Sequence, residues 1–199
     1  SITSIGGSAF YGNQLTDIII PESVTSIGDS AFGNNLLTSV TIPDGVTSIG
    51  DKALDRNQLT SVIIGDSVKS IGVQAFGFNK LTDVIFPASV TNVERYMFYN
   101  NPGAGQIKEL HFLGDRPILG REFITNNPVV TITYCAGRAG WPGENIGRQR
   151  SIVPVNDCDG DGLLDAEDAF PLDSAEGLDT DSDGAGNNAD TDDDNDGIA

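Results

Sequence analysis

The chain has 199 residues, enough for one ordinary domain and a smaller one, and a formal net charge of −18. That charge is unevenly placed: residues 1–156 carry 13 acidic and 11 basic side chains, a net of −2, whereas residues 157–199 carry 16 acidic and none basic. A boundary therefore falls near Asn156. Nucleic acid is excluded as a partner, because phosphate contacts need Lys/Arg clusters that the chain lacks. Cations are the natural partner instead, and no run of about 18 apolar residues exists to insert into a membrane.

From the first residues onward the chain repeats every 22 residues. Leu15, Leu37, Leu59 and Leu81 keep that spacing, as do Ile5, Ile27, Ile49, Ile71 and Val93, and Phe10, Phe32, Leu54, Phe76 and Phe98. Asn13, Asn35, Asn57, Asn79 and Asn101 share it, and so do Pro21, Pro43 and Pro87, with Gly65 in the fourth place. A fixed period of this length means stacked coils, none able to bury its apolar face alone.

Within one unit, Leu37-Thr-Ser-Val-Thr-Ile42 alternates apolar with small polar residues and predicts a short strand with Leu37, Val40 and Ile42 inward. Val46, Ile49, Ala53 and Leu54 are expected to form the opposite wall, with Gly50 making a tight corner. Stacking then gives a parallel sheet at about 4.8 Å per coil. An amide at one fixed place per coil can bond the backbone of its own and the adjacent coil, so the asparagine column reads as a structural ladder.

The run Leu-Thr-x-Val-x-Ile-Pro-x-x-Val-x-x-Ile-Gly-x-x-Ala-Phe resembles the BspA-type leucine-rich repeats of bacterial and protist surface proteins, over about residues 1–113. The resemblance implies a β-rich leucine-rich-repeat solenoid over residues 1–101 and a non-catalytic, adhesin-like protein, extracellular or at the cell surface, that contacts a protein or glycan partner. Outward positions Ile19, Thr41, Ile63 and Ile85, flanked by Thr16, Thr38, Thr60 and Thr82, form flat ranks that could instead template a repetitive ligand such as glycan or ice. The plain reading of those ranks is that Thr and Ile are good strand residues.

The pattern decays after Val93, and residues 102–156 are expected to cap the solenoid. Strands are predicted at Lys108-Glu-Leu-His-Phe-Leu113 and Val129-Val-Thr-Ile-Thr-Tyr134, with Tyr134, Trp141 and Pro142 packed across the last coil; an aromatic sugar platform at Trp141 is the alternative. His111, the single histidine, has no nucleophile in a recognisable motif beside it. Cys135 and Cys158 fit no metal spacing and read as a disulfide joining the cap to the tail, with two buried thiols as the alternative.

In the tail, Asp157, Asp159, Asp161, Asp165 and Asp168 occupy positions 1, 3, 5, 9 and 12 of a loop with glycine at 6 and the Leu163 carbonyl at 7. Asp179, Asp181, Asp183, Asn187 and Asp190 repeat the set, with the Ala185 carbonyl at 7, and Asp192, Asp194 and Asp196 begin a third copy. This spacing resembles an EF-hand-type loop, whose hard oxygen ligands favour Ca²⁺. The dense series, with Phe170-Pro-Leu-Asp between loops, is similar to thrombospondin type 3 calcium repeats over residues 157–199. Dockerins share such loops but follow each with an apolar-periodic helix, which is missing here. The competing reading is a solvated acidic tail. Ser1 begins inside a coil and the third loop stops at its eighth position, so the chain is expected to be part of a longer protein.

Overall fold

The computed structural model describes residues 1–101, 107–120, 122–124, 130–141, 150–158, 163–172, 175–181 and 186–189. They form a parallel β-solenoid with 22-residue coils, and no helix occurs among them.

One wall is a six-stranded parallel sheet built from two-residue strands: β1 (Ser4–Ile5), β2 (Ser26–Ile27), β4 (Ser48–Ile49), β6 (Ser70–Ile71), β8 (Asn92–Val93) and β10 (Ile118–Leu119). Register is strict, Ser26 opposite Ser48 and Ile27 opposite Ile49, so every isoleucine of the column lands on the previous one and points into the core. The second wall comes from the predicted strands and from one more, β12 (Arg150–Val155), that the sequence did not predict. β3 (Ser39–Thr41) pairs with β5 (Ser61–Ile63), and β7 (Asp83–Phe86) pairs onward with β9 (Glu109–Phe112), β11 (Val130–Cys135) and β12. Along β7 the burial alternates as the two-residue period of a strand demands, Val84 and Phe86 in, Asp83 and Ile85 out.

A third side closes each coil through bonds to its neighbour: Ser30 N–H to the Asp51 carbonyl (2.8 Å), Phe32 N–H to Ala53 (2.8 Å) and Asn34 N–H to Asp55 (2.8 Å). Two columns on this side hold left-handed backbone almost entirely in residues other than glycine, one running Ser8, Ser30, Lys52, Gln74 and Tyr96 and the other, after Gly12, running Asn34, Arg56, Phe78 and Asn100. Each such residue costs about 1 kcal/mol or more, which the bonds to the adjacent coil offset.

The corner glycine serves a different purpose from the expected one. Gly50 has no positive φ; a Cβ there would stand 2.7 Å from the Asp29 nitrogen and the Gly28 carbonyl carbon, so only a bare backbone lets the coils stack at sheet spacing. Gly72 repeats the contact, at 2.6 Å from Asp51 N and Gly50 C. Gly72→Ala is therefore expected to lower stability by about 1–3 kcal/mol, read by urea denaturation, because both obstructing atoms are backbone and cannot rotate away.

Inside, Leu37, Val40, Ile42, Val46, Ile49, Ala53 and Leu54 fall in one continuous core with their counterparts in the other coils. The phenylalanine column stacks at its ends, Phe10 on Phe32 at 5.3 Å and Phe76 near Phe98 at 6.2 Å, with Leu54 intervening. Beyond Asn101 the coils continue with altered length: Asp83 pairs with Glu109, Glu109 with Thr131 and Val130 with Arg150, steps of 26, 22 and 20 residues. The segment expected to cap the solenoid thus extends its sheet by three strands. Trp141 packs on Phe112 (5.1 Å) and Tyr134 (5.1 Å), and its indole N–H donates to the Gly114 carbonyl at 3.2 Å. Pro142 lies outside the described residues.

Candidate functional site

Three places carry the chemistry that the sequence singles out. The first is the outer sheet face. Ile19, Ile63 and Ile85 are 91%, 63% and 59% exposed, so the rank points outward as expected. The rank then passes through His111, Thr133 and Val153 by strand register. It is not one flat lattice, because β5 and β7 do not pair with each other and the wall is split into two sheets. At the break lies an open recess of about 410 Å³, with Val62, Ile63, Ile64, Ile85, Pro87 and Leu113 as its apolar lining. Gly65, standing where other coils have proline, lies against the preceding coil: a Cβ there would be 2.4 Å from the Pro43 carbonyl oxygen.

The second is the junction of solenoid and tail. Cys135, at the end of β11, is disulfide-bonded to Cys158, with a Cα–Cα distance of 5.4 Å. The His111 ring bridges the same two elements, with Nδ1 on the Thr133 hydroxyl and Nε2 on the Cys158 carbonyl at 3.2 Å. Its place is structural: it ties the start of the tail to the outer sheet.

In the tail itself, Asp157, Leu163, Asp165, Asp168, Asp179, Asp181 and Asn187 are described. Asp159, Asp161, Asp183, Ala185, Asp190, Asp192, Asp194 and Asp196 lie outside the described residues. The two loops share local bonding. Position 9 accepts from the N–H of position 2 in both, Asp165 from Cys158 at 2.8 Å and Asn187 from Thr180 at 3.0 Å. The N–H of position 9 donates to the residue before position 1 in both, Asp165 to Asn156 at 2.7 Å and Asn187 to Leu178 at 2.9 Å. Asp168 accepts from the Phe170 N–H at 2.7 Å and is nearly buried. Among the described residues, no three His, Cys, Asp or Glu side chains stand close enough together to hold a metal.

The third place was not visible in the sequence. Asp55 lies on the third side of its coil, in a column that otherwise reads Tyr11, Gly33, Gly77 and Tyr99, and is only 5% exposed. Its Oδ2 meets Arg56 Nε at 3.3 Å, while Oδ1 is buried with no hydrogen-bond partner among the described residues. Burial pushes its carboxyl up to about 6, against the opposing pull of Arg56 and Lys52. A carboxyl whose folded pKa exceeds its unfolded value of 3.8 favours the fold most when protonated, so its contribution is present below pH 3.8 and lost as pH rises through 6. Asp55→Asn is accordingly expected to stabilise the chain at pH 7, by about 1–2 kcal/mol once solvent at the rim is allowed for, and to do little at pH 3.5. Parallel melts of the two proteins across that range check the difference.

A family model described as a BspA type leucine-rich repeat region, in six copies, matches residues 1–115. Among solved structures, the pneumococcal vaccine antigen PcpA aligns with 78% of this chain and 49% of its own, at 16% identity and a TM-score of 0.51, a likeness of fold. A leucine-rich repeat protein from Eubacterium ventriosum aligns with 55% of this chain and 30% of its own, at 29% identity and a TM-score of 0.41. The chain thus spans about half of the first and under a third of the second. No curated protein matches it significantly.

Proposed function

The chain belongs to the BspA-type leucine-rich repeat family, and from that premise we propose that it is a non-catalytic recognition or adhesion module of a secreted or cell-surface protein, carrying a calcium-stabilised tail. The observation that carries the recognition role is the recess at the split of the outer sheet, where Ile63 and Ile85 stand 63% and 59% exposed. Large apolar side chains kept in water beside an apolar hollow mark an interaction surface rather than a fold requirement. The partner is a protein with an apolar protrusion. The same rank could serve a repetitive glycan or ice surface, a reading favoured by the Ile exposures but opposed by the split, which ends the regular spacing that a lattice needs.

The tail takes the role of a metal-held stalk or linker. Asp157, Asp159, Asp161, the Leu163 carbonyl, Asp165 and Asp168 would hold one ion, and Asp179, Asp181, Asp183, the Ala185 carbonyl, Asn187 and Asp190 a second, with Asp192, Asp194 and Asp196 starting a third. The matching bonds at positions 2 and 9 support it, since two stretches of solvated acidic chain have no reason to fold alike. Calcium would supply charge neutralisation, letting 16 carboxylates in 43 residues compact. The Cys135–Cys158 bond suits an oxidising, extracellular setting.

A pull-down with the intact chain from detergent-solubilised cell-surface proteins, with and without calcium, tests the recognition role. Saturable capture that falls at least tenfold in Ile63→Ser/Ile85→Ser is the expected result. No capture, or capture unchanged by those substitutions, contradicts it.

A further inference from the structure

The recess at the break between β5 and β7 has an apolar lining and two charged members, Asp66 and Asp83, both carboxylates and both exposed. They stand at opposite ends of it. Asp83 opens β7, level with Ser61 in the 22-residue repeat, whereas Asp66 lies in the turn that follows β5. The exposed Ile63 and Ile85 fall between those two levels. At about 3.3 Å per residue, the run from Ser61 to Asp66 separates the carboxylates by on the order of 10–15 Å along the strand direction.

Both carboxylates are placed by the fold but neutralised by nothing in it. Asp83 Oδ2 accepts from the Thr82 hydroxyl at 2.6 Å, and the Asp66 N–H donates to Asp44 Oδ1 at 3.1 Å, which draws another carboxylate to the same rim. Glu109, also exposed, stands beside Asp83 in sheet register. Neither Asp66 nor Asp83 is ion-paired among the described residues. Lys80 Nζ bonds Gln58 Oε1 at 3.3 Å instead, and the exposed Lys108 forms no ion pair with Asp83 or Glu109. In open water this arrangement costs little. A partner that covers Ile63 and Ile85 also strips water from the two carboxylates, and a carboxylate desolvated without a cation is strongly unfavourable. An apolar surface is therefore rejected unless it brings cations of its own.

We infer that the recess takes an extended protein segment in which one large apolar side chain is flanked, on the same face, by Lys or Arg; this rests on the recognition role proposed above and names the chemistry of its partner. In an extended chain alternate residues share a face, so cation, apolar and cation at every second position put the two charges about 13 Å apart, the separation of Asp83 from Asp66. The apolar side chain then meets Ile63, Ile85 and Leu113 while each cation meets one carboxylate. Complementary charge at the two ends sets which segment is accepted and in what register.

The probe is the blocked peptide Gly-Ser-Lys-Ser-Leu-Ser-Lys-Ser-Gly, titrated into the isotope-labelled intact chain in millimolar Ca²⁺ and followed by amide shifts, beside a control peptide with Gln in place of both Lys. Shifts should centre on Ile63, Ile85 and Leu113. Binding should weaken at least tenfold for the Gln peptide, and equally for the Lys peptide with Asp66→Asn/Asp83→Asn, whose substitutions lie at exposed positions and are expected to fold. Equal binding of the two peptides, shifts confined to residues beyond Val155, binding indifferent to the two substitutions, or no shift at the recess with millimolar peptide would each overturn the assignment. The pull-down separates this inference from the reading beneath it. Capture lost in Ile63→Ser/Ile85→Ser but kept in Asp66→Asn/Asp83→Asn defeats the charge assignment alone, and capture indifferent to both pairs defeats the recognition role with it.

Discussion

Asn79→Leu is expected to destabilise the solenoid by about 3–5 kcal/mol, enough to unfold a domain of ordinary stability at 37 °C. Asn79 is 1% exposed, and its amide nitrogen donates to the Leu54, Phe76 and Gly77 carbonyls at 3.0, 3.2 and 3.0 Å. Its oxygen accepts from the Leu59 N–H at 3.0 Å. One side chain thus satisfies backbone groups in two coils that no sheet ladder reaches. Leucine has a similar volume but leaves an N–H buried without a partner, and each such group costs about 1–3 kcal/mol. Asn57 makes the same four contacts, whereas Asn13 is exposed, so Asn13→Leu should cost far less. Equilibrium denaturation of the two variants side by side separates a ladder role from a general dislike of substitution in this column.

Loss of the Cys135–Cys158 bond is the second large effect. The two residues are 23 apart, and opening a loop of that size removes about 3 kcal/mol of restraint on the unfolded chain. In Cys158→Ser the His111 bond to the Cys158 carbonyl remains but cannot alone hold the tail against the outer sheet. We expect the outermost strand, β12, to lose amide protection first, followed by β11, which it covers and from whose end the disulfide starts. Hydrogen exchange should show β2 to β6 unchanged. Equal loss of protection throughout would mean that the bond stabilises the whole solenoid and is not local to its end.

Much of this architecture is legible in the sequence. The 22-residue columns state the coil, and the inward sets Leu37, Val40, Ile42 and Val46, Ile49, Leu54 are buried where the alternation puts them. What escapes is whatever the period does not mark by residue type. Apart from Gly12, Asn34 and Asn100, the left-handed columns hold Ser, Lys, Gln, Tyr, Arg and Phe, none of which announces positive φ, because bonds between coils impose the conformation. Gly50 is recognisable as special, yet its reason, the backbone of the coil before it, lies 22 residues away. Strand β12 is hidden by Pro154 and by the shortened step of 20 residues. Asp55 escapes for a related reason: in a column already containing Tyr and Gly, an aspartate looks like surface variation, and only packing shows that it is buried. In the tail, spacing makes the candidate ligands plain, but the tie from Cys158 to His111 depends on which face of β9 is outermost.

The account turns on a proposed division of labour between coils that fold on their own core and a tail held by calcium. Limited proteolysis of the intact chain in EDTA and in millimolar Ca²⁺ tests it most directly, since extracellular modules of this type have dissociation constants of about 10⁻⁴–10⁻³ M. In calcium both parts should resist. In EDTA, cleavage should become rapid beyond about Val155 and leave residues 1–150 intact, and Asp161→Ala or Asp183→Ala should each expose one loop even with calcium present. A tail cut at the same rate in both buffers, or a solenoid that is digested along with it on chelation, would contradict the account.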